Sequence, residues 1–125
     1  MGHFLPHRID DGYGLTIESV AKAVEEKWDL MLTVDCGITS VEAAKAAREA
    51  GIDLIVTDHH MPGNELPWAV ALVDPKLPDA PAGLHDLAGV GVAFKVCHAF
   101  LKFGRECGYD RSEEHTSELQ SRQVI

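Results

Sequence analysis

The sequence predicts an α/β fold, an open parallel sheet with helices packed against it. Three observations carry that expectation. Two short apolar runs, residues 30–34 and 54–57, flank an alanine-rich stretch of helical character. Each run stops abruptly at polar residues, Asp35-Cys36-Gly37 after the first and Asp58-His59-His60 after the second. The connections are short, as in a strand–helix–strand unit with parallel strands.

The elements follow in order. Residues 4–8 suit a short edge strand, and Asp10-Asp11-Gly12-Tyr13-Gly14 is a turn signal. Thr16 can cap a helix running to about Lys27, with Ile17, Val20, Ala21 and Val24 on its apolar face. Residues 30–34 read as a strand buried on both faces. Thr39-Ser40-Val41-Glu42 fits a capping box for a helix to about Ala50, and Gly51 suits its C-terminal cap. A second strand follows, then a third at residues 70–73 that stops at Asp74-Pro75. A proline-rich loop spans residues 75–81. Val92, Val96, Phe100 and Phe103 mark the buried face of a last helix. Together these make a Rossmann-like parallel sheet with flanking helices, with residues 1–110 as one domain.

Residues 111–125 are out of character. They hold little that could be buried, and the start of the segment looks like the translation of a sequencing adapter. They are read as a non-native tail and kept out of the fold. The tail carries two Arg and three Glu, so leaving it out changes the net charge only from -9 to -8. Either value repels nucleic acid in general, because phosphate binding rests on Lys and Arg. A bound divalent cation is one way to reverse that field locally. No apolar run approaches a membrane span, and the start is not a signal peptide, so a cytoplasmic location is expected. Cys36, Cys97 and Cys107 have no framework spacing and read as reduced thiols. Cys36 lies beside Asp35 but reads as an ordinary small residue rather than a metal ligand.

In open α/β sheets, ligands bind beyond the carboxyl ends of the strands. Both polar clusters fall there. Residues 29–35 and 53–59 resemble each other, and aligning their Asp-Leu starts matches Asp35 with His59. On neighbouring strands, roughly 5 Å apart, that register brings a carboxylate and an imidazole to one cation. Asp35 and His59 are therefore the expected metal ligands. Asp58 is suited to orienting a histidine, and His60 to contacting a phosphate or acting as an acid. Taken singly, an Asp at a strand end is usually a cap and a His pair usually a polar loop. It is the joint occurrence at one sheet edge that points to a site.

Thr57-Asp58-His59-His60 with Pro62-Gly63 resembles the motif that names the DHH phosphoesterases. Thr33-Val34-Asp35-Cys36-Gly37 is similar to that family's preceding aspartate motif. Leu87-Ala88-Gly89-Val90-Gly91-Val92-Ala93-Phe94-Lys95 resembles a block of its RecJ-type branch, as does Arg8 with Gly12-Tyr13-Gly14-Leu15. The likeness spans nearly all of residues 1–110. It implies a hydrolase that removes nucleotides from single-stranded DNA in the 5′ to 3′ direction, with Mn2+ or Mg2+ in a two-metal site. It makes Asp35 a bridging ligand, His59 a ligand of one ion, and places His60 near the scissile phosphate. Gly89 and Gly91 suit close approach of backbone amides to a phosphate before the last helix, or a tight packing turn. Arg8 suits a phosphate contact, or a solvated surface position.

Two of the family's ligand-bearing segments have no counterpart in residues 1–110, so the site is expected to be incomplete and the chain inactive alone. Two other readings compete. One is a DHH phosphoesterase for oligonucleotides, cyclic dinucleotides or pyrophosphate. The other is a non-catalytic α/β module that binds a nucleotide or a protein at the same edge.

Overall fold

The computed structural model describes Gly2 and residues 14–109. The expected edge strand at residues 4–8, the turn up to Tyr13, Arg8 and the tail at 111–125 lie outside the described residues. The described residues fall into two compact units divided between Phe94 and Lys95.

The first unit holds α1 (Ile17–Glu25), β1 (Leu30–Val34), α2 (Val41–Glu49), β2 (Asp53–Thr57), β3 (Ala71–Val73) and the start of α3 (Gly89–Glu106). The strands are parallel in the order β1-β2-β3. Helix α1 packs on α2, and α2 on β2. The core lies between these helices and one sheet face, built from Leu15, Val20, Ala23, Met31, Ala44, Ala47, Leu54 and Val56.

Helix ends explain how the chain turns so sharply. Thr16 caps α1 by accepting from the Ser19 amide while the Ser19 hydroxyl accepts from the Thr16 amide. This reciprocal pair satisfies two otherwise orphaned donors. At the other end Trp28 N donates to Ala23 O and Lys27 N to Val24 O, with Lys27 left-handed at φ 56°. Helix α2 ends the same way through Ile52 N to Ala47 O and Gly51 N to Arg48 O, with Gly51 at φ 75°. Ser40, by contrast, caps α2 without a side-chain hydrogen bond, so the capping box expected there is not formed.

Three packing expectations need correction. Strand β1 is buried on one face only: Leu30, Leu32 and Val34 are 52%, 54% and 53% exposed, while Met31 and Thr33 are buried. Among the described residues α1 and α2 cover a single side, and alternation leaves every second residue of β1 on the other. The buried face of α1 runs through Ser19, Val20 and Ala23, whereas Ile17 and Val24 stay exposed. In α3 only Gly89 and Val92 are buried; Phe100 and Phe103 are exposed.

The register also differs from the expected one. Leu30 pairs with Asp53 and Val34 with Thr57, one residue out from the alignment of the two Asp-Leu starts. Asp35 is therefore level with Asp58 rather than with His59.

Candidate metal centre

The ladder continues one residue past each strand end. Asp35 N donates to Thr57 O at 2.9 Å, and Asp58 N to Val73 O at 3.0 Å. Two threonines brace the same edge: Thr57 Oγ1 donates to Thr33 O at 2.6 Å, and Thr33 Oγ1 to Cys36 O at 2.7 Å. Gly37, at φ 109°, passes so close that a Cβ would press on Thr33 and Val56.

Asp35 leaves the pleat by adopting the left-handed conformation, φ 64°. That conformation is uncommon for a residue with a side chain, although Asp tolerates it better than most. The turn overrides the one-residue register difference. Asp35 Oδ1 and His59 Nε2 stand 2.9 Å apart. Oδ1 is itself buried and has no aligned hydrogen-bond donor. Two ligands at right angles on a cation about 2.1 Å away would lie about 3 Å apart. The spacing therefore suits one shared divalent ion.

His60 joins them. Asp35, His59 and His60 each offer one ligand atom, all within 4.8 Å of one another. The His59 and His60 rings are tilted, with centroids 4.5 Å apart. A carboxylate with two imidazoles is a donor set for a divalent transition ion, and a buried unpaired oxygen among them fits such an ion.

Asp58 lies beneath the histidines and is buried. Burial works against its charge, but hydrogen bonds from Ile38 N, His59 N, and the His60 ring and amide outweigh it and hold the carboxyl below its ordinary range. Its partner among the rings is His60, whose Nδ1 lies 2.6 Å from Asp58 Oδ1. An ionised carboxylate only accepts, so the Nδ1 of His60 carries the proton and Nε2 is left for a ligand or substrate.

Cys36 sits close by, and its thiol is pushed up by burial first and then by the charges of Asp58 and Asp35. It is kept as a thiol and is not in the donor group.

Gly89 and Gly91 lie within the first turn of α3 rather than before it. Gly91 N already donates to Ala88 O at 2.8 Å, so this amide is occupied. Gly89 touches the site directly: a Cβ there would overlap the Asp35 carboxyl and come within 2.9 Å of the Asp35 Cβ. Asp74, at the end of β3, was not anticipated. It is buried beside Asp58, and its signal in the sequence was the third of three strand ends that close on Asp.

The model of the DHH family N-terminal domain matches residues 2–121. The chain belongs to the DHH family. Among curated proteins it is 47% identical over 98 residues to the single-stranded-DNA-specific exonuclease RecJ of Bacillus subtilis, covering 78% of this chain and 12% of that protein. It is 45% identical over 107 residues to RecJ of Escherichia coli, covering 86% of this chain and 18% of that one. A crystal structure of exonuclease RecJ bound to manganese superposes with a TM-score of 0.61 at 44% identity, covering 73% of this chain and 23% of that one. The Mn2+ complex of RecJ from Thermus thermophilus gives 0.51 at 42% identity, covering 63% and 12%. The chain thus spans less than a quarter of each of these relatives.

Proposed function

We propose that this DHH chain provides part of the metal centre of a RecJ-type nuclease, acting on single-stranded DNA in the 5′ to 3′ direction in the cytoplasm. The observation that carries this reading is the buried Asp35 Oδ1, 2.9 Å from His59 Nε2 and without an aligned donor. Asp35 and His59 would hold Mn2+ or Mg2+. A divalent cation so placed lowers the pKa of a bound water and offsets charge on the phosphoryl oxygens. At the site it would also offset locally the repulsion between DNA and a chain of net charge -9.

His60 faces the substrate phosphate and moves a proton at Nε2, while Asp58 orients its ring through Nδ1. Gly89 lets the start of α3 approach the centre closely. Arg8 contacts the DNA backbone. The relatives named RecJ favour this reading over other DHH phosphoesterases, and the three converging donors favour it over a non-catalytic module. One carboxylate and one imidazole are too few for a two-metal site, so the 125-residue chain alone should not digest DNA.

Manganese binding to the 125-residue chain, followed by paramagnetic resonance of the free ion, tests the reading. Asp35→Ala and His59→Ala should each weaken binding tenfold or more. Unchanged affinity in both variants would favour the binding module. Manganese-dependent digestion of single-stranded DNA by the unaltered chain would overturn the incomplete site.

A further inference from the structure

We propose that Asp74 is an additional carboxylate of this centre, a positioning residue that holds a cation-bound water on the β3 side. The proposal rests on the metal reading above. It starts from the register: Val34, Thr57 and Val73 are paired across the three strands, so the residues after them, Asp35, Asp58 and Asp74, form one row along the sheet edge.

The second observation is independent of that row. Asp74 is only 5% exposed. Its Oδ1 accepts from Lys76 N at 2.8 Å and closes the turn after β3. Its Oδ2 is buried without any hydrogen-bond partner. Among the described residues only one other buried side-chain oxygen shares that condition, and it is Oδ1 of Asp35, the proposed ligand itself. Buried polar atoms are normally paired, and an exception calls for an unseen water or ion.

Asp74 continues the alternation of Leu72, which packs on the helix-covered face. Its carboxyl lies near enough to Asp58 and His59 to respond to their charges. It is not in the group formed by Asp35, His59 and His60, so it reaches a cation there through a water molecule. Outer carboxylates of this kind orient the ligand sphere.

Asp74→Asn separates this role from a purely structural one. The amide oxygen can still accept from Lys76 N, so the turn is kept, but the negative charge on the buried, unpartnered Oδ2 is lost. In the 125-residue chain, Asp74→Asn should raise the Kd for Mn2+ about tenfold or more with an unchanged circular dichroism spectrum. Water-proton relaxation should report a changed hydration of the bound Mn2+. Asp74→Ala should lose the same affinity and also melt earlier.

Affinity within twofold of the unaltered chain in Asp74→Asn would overturn the proposal. So would an affinity loss confined to Asp74→Ala, or loss of fold in Asp74→Asn, since the carboxyl would then serve the turn alone. No Mn2+ binding by the unaltered chain, or none lost in Asp35→Ala, would instead sink the metal reading beneath it.

Discussion

Replacing Gly89 by alanine should damage the centre without touching a ligand. The new Cβ would sit 2.5 Å from the Asp35 Cγ, whereas ordinary contact begins at 3.4 Å, a shortfall of about 0.9 Å. Asp35 cannot yield freely, because its amide is bound to Thr57 O and its backbone is already left-handed. Either the carboxyl or the start of α3 must move by most of that distance. Metal–ligand distances tolerate only about 0.2 Å. A misplacement of about 1 Å can remove about two orders of magnitude, or about 2.7 kcal/mol. Manganese titration by calorimetry should therefore show affinity falling about a hundredfold. Gly91→Ala is the matched control. Its Cβ would meet only the tip of Leu87, at 3.1 Å, which can swing aside. It should keep affinity within about threefold and gain up to about 1 kcal/mol of helix stability. Near-normal Mn2+ affinity in Gly89→Ala, with its helical signal intact, would refute the close approach.

Other outcomes follow from the same edge. Asp58→Ala strands several buried donors and should cost about 3 kcal/mol in chemical denaturation. Because the Asp58 pKa is lowered in the folded chain from its ordinary 3.8, its stabilisation is complete above the ordinary carboxylate range. It is lost as pH falls through the depressed folded value, and Asp58→Asn should flatten that part of the stability–pH curve. Burial, chiefly, raises the Asp74 pKa, so ionising it opposes folding. In the metal-free chain, stability should fall as pH rises through that raised value, and a thermal melt at neutral pH should find Asp74→Asn no less stable than the parent. Thr57→Val removes the hydroxyl bound to Thr33 O and should cost about 1 kcal/mol. Lys27→Gly relieves a left-handed lysine at the end of α1 and should raise the melting midpoint by up to about 1 kcal/mol equivalent.

The strands and helices were legible because their signals are local. Apolar runs of four or five residues, Thr16 before α1 and Gly51 after α2 each act within one turn or one strand. The relative height of β1 and β2 was not legible. The repeated Asp-Leu invited a pairing of Leu30 with Leu54, but hydrogen bonding pairs Leu30 with Asp53. Strand height is set by the packing of α2 and its connections, which similarity between two strands does not encode. The convergence of Asp35 with His59 was expected from that mistaken register and arises instead from the left-handed turn at Asp35. Side-chain direction beyond a strand end depends on one backbone angle that no motif announces. The buried faces of α1 and α3 differ from the expected ones because apolar spacing tells which residues could be covered, not what covers them. Asp74 carries no distinctive signal, because an Asp before Pro also suits a turn. Its burial beside Asp58 becomes visible only once β3 is set next to β2.

The two donors that meet at 2.9 Å belong to neighbouring strands, one following β1 and one following β2. An ion gripped by both would act as a rivet across the seam, where the last backbone ladder bond, Asp35 N to Thr57 O, is followed only by the side-chain tie from Ile38 N to Asp58. Chelation should then accelerate deuterium uptake at Asp35 N while leaving the amides at the opposite end of the strands unchanged.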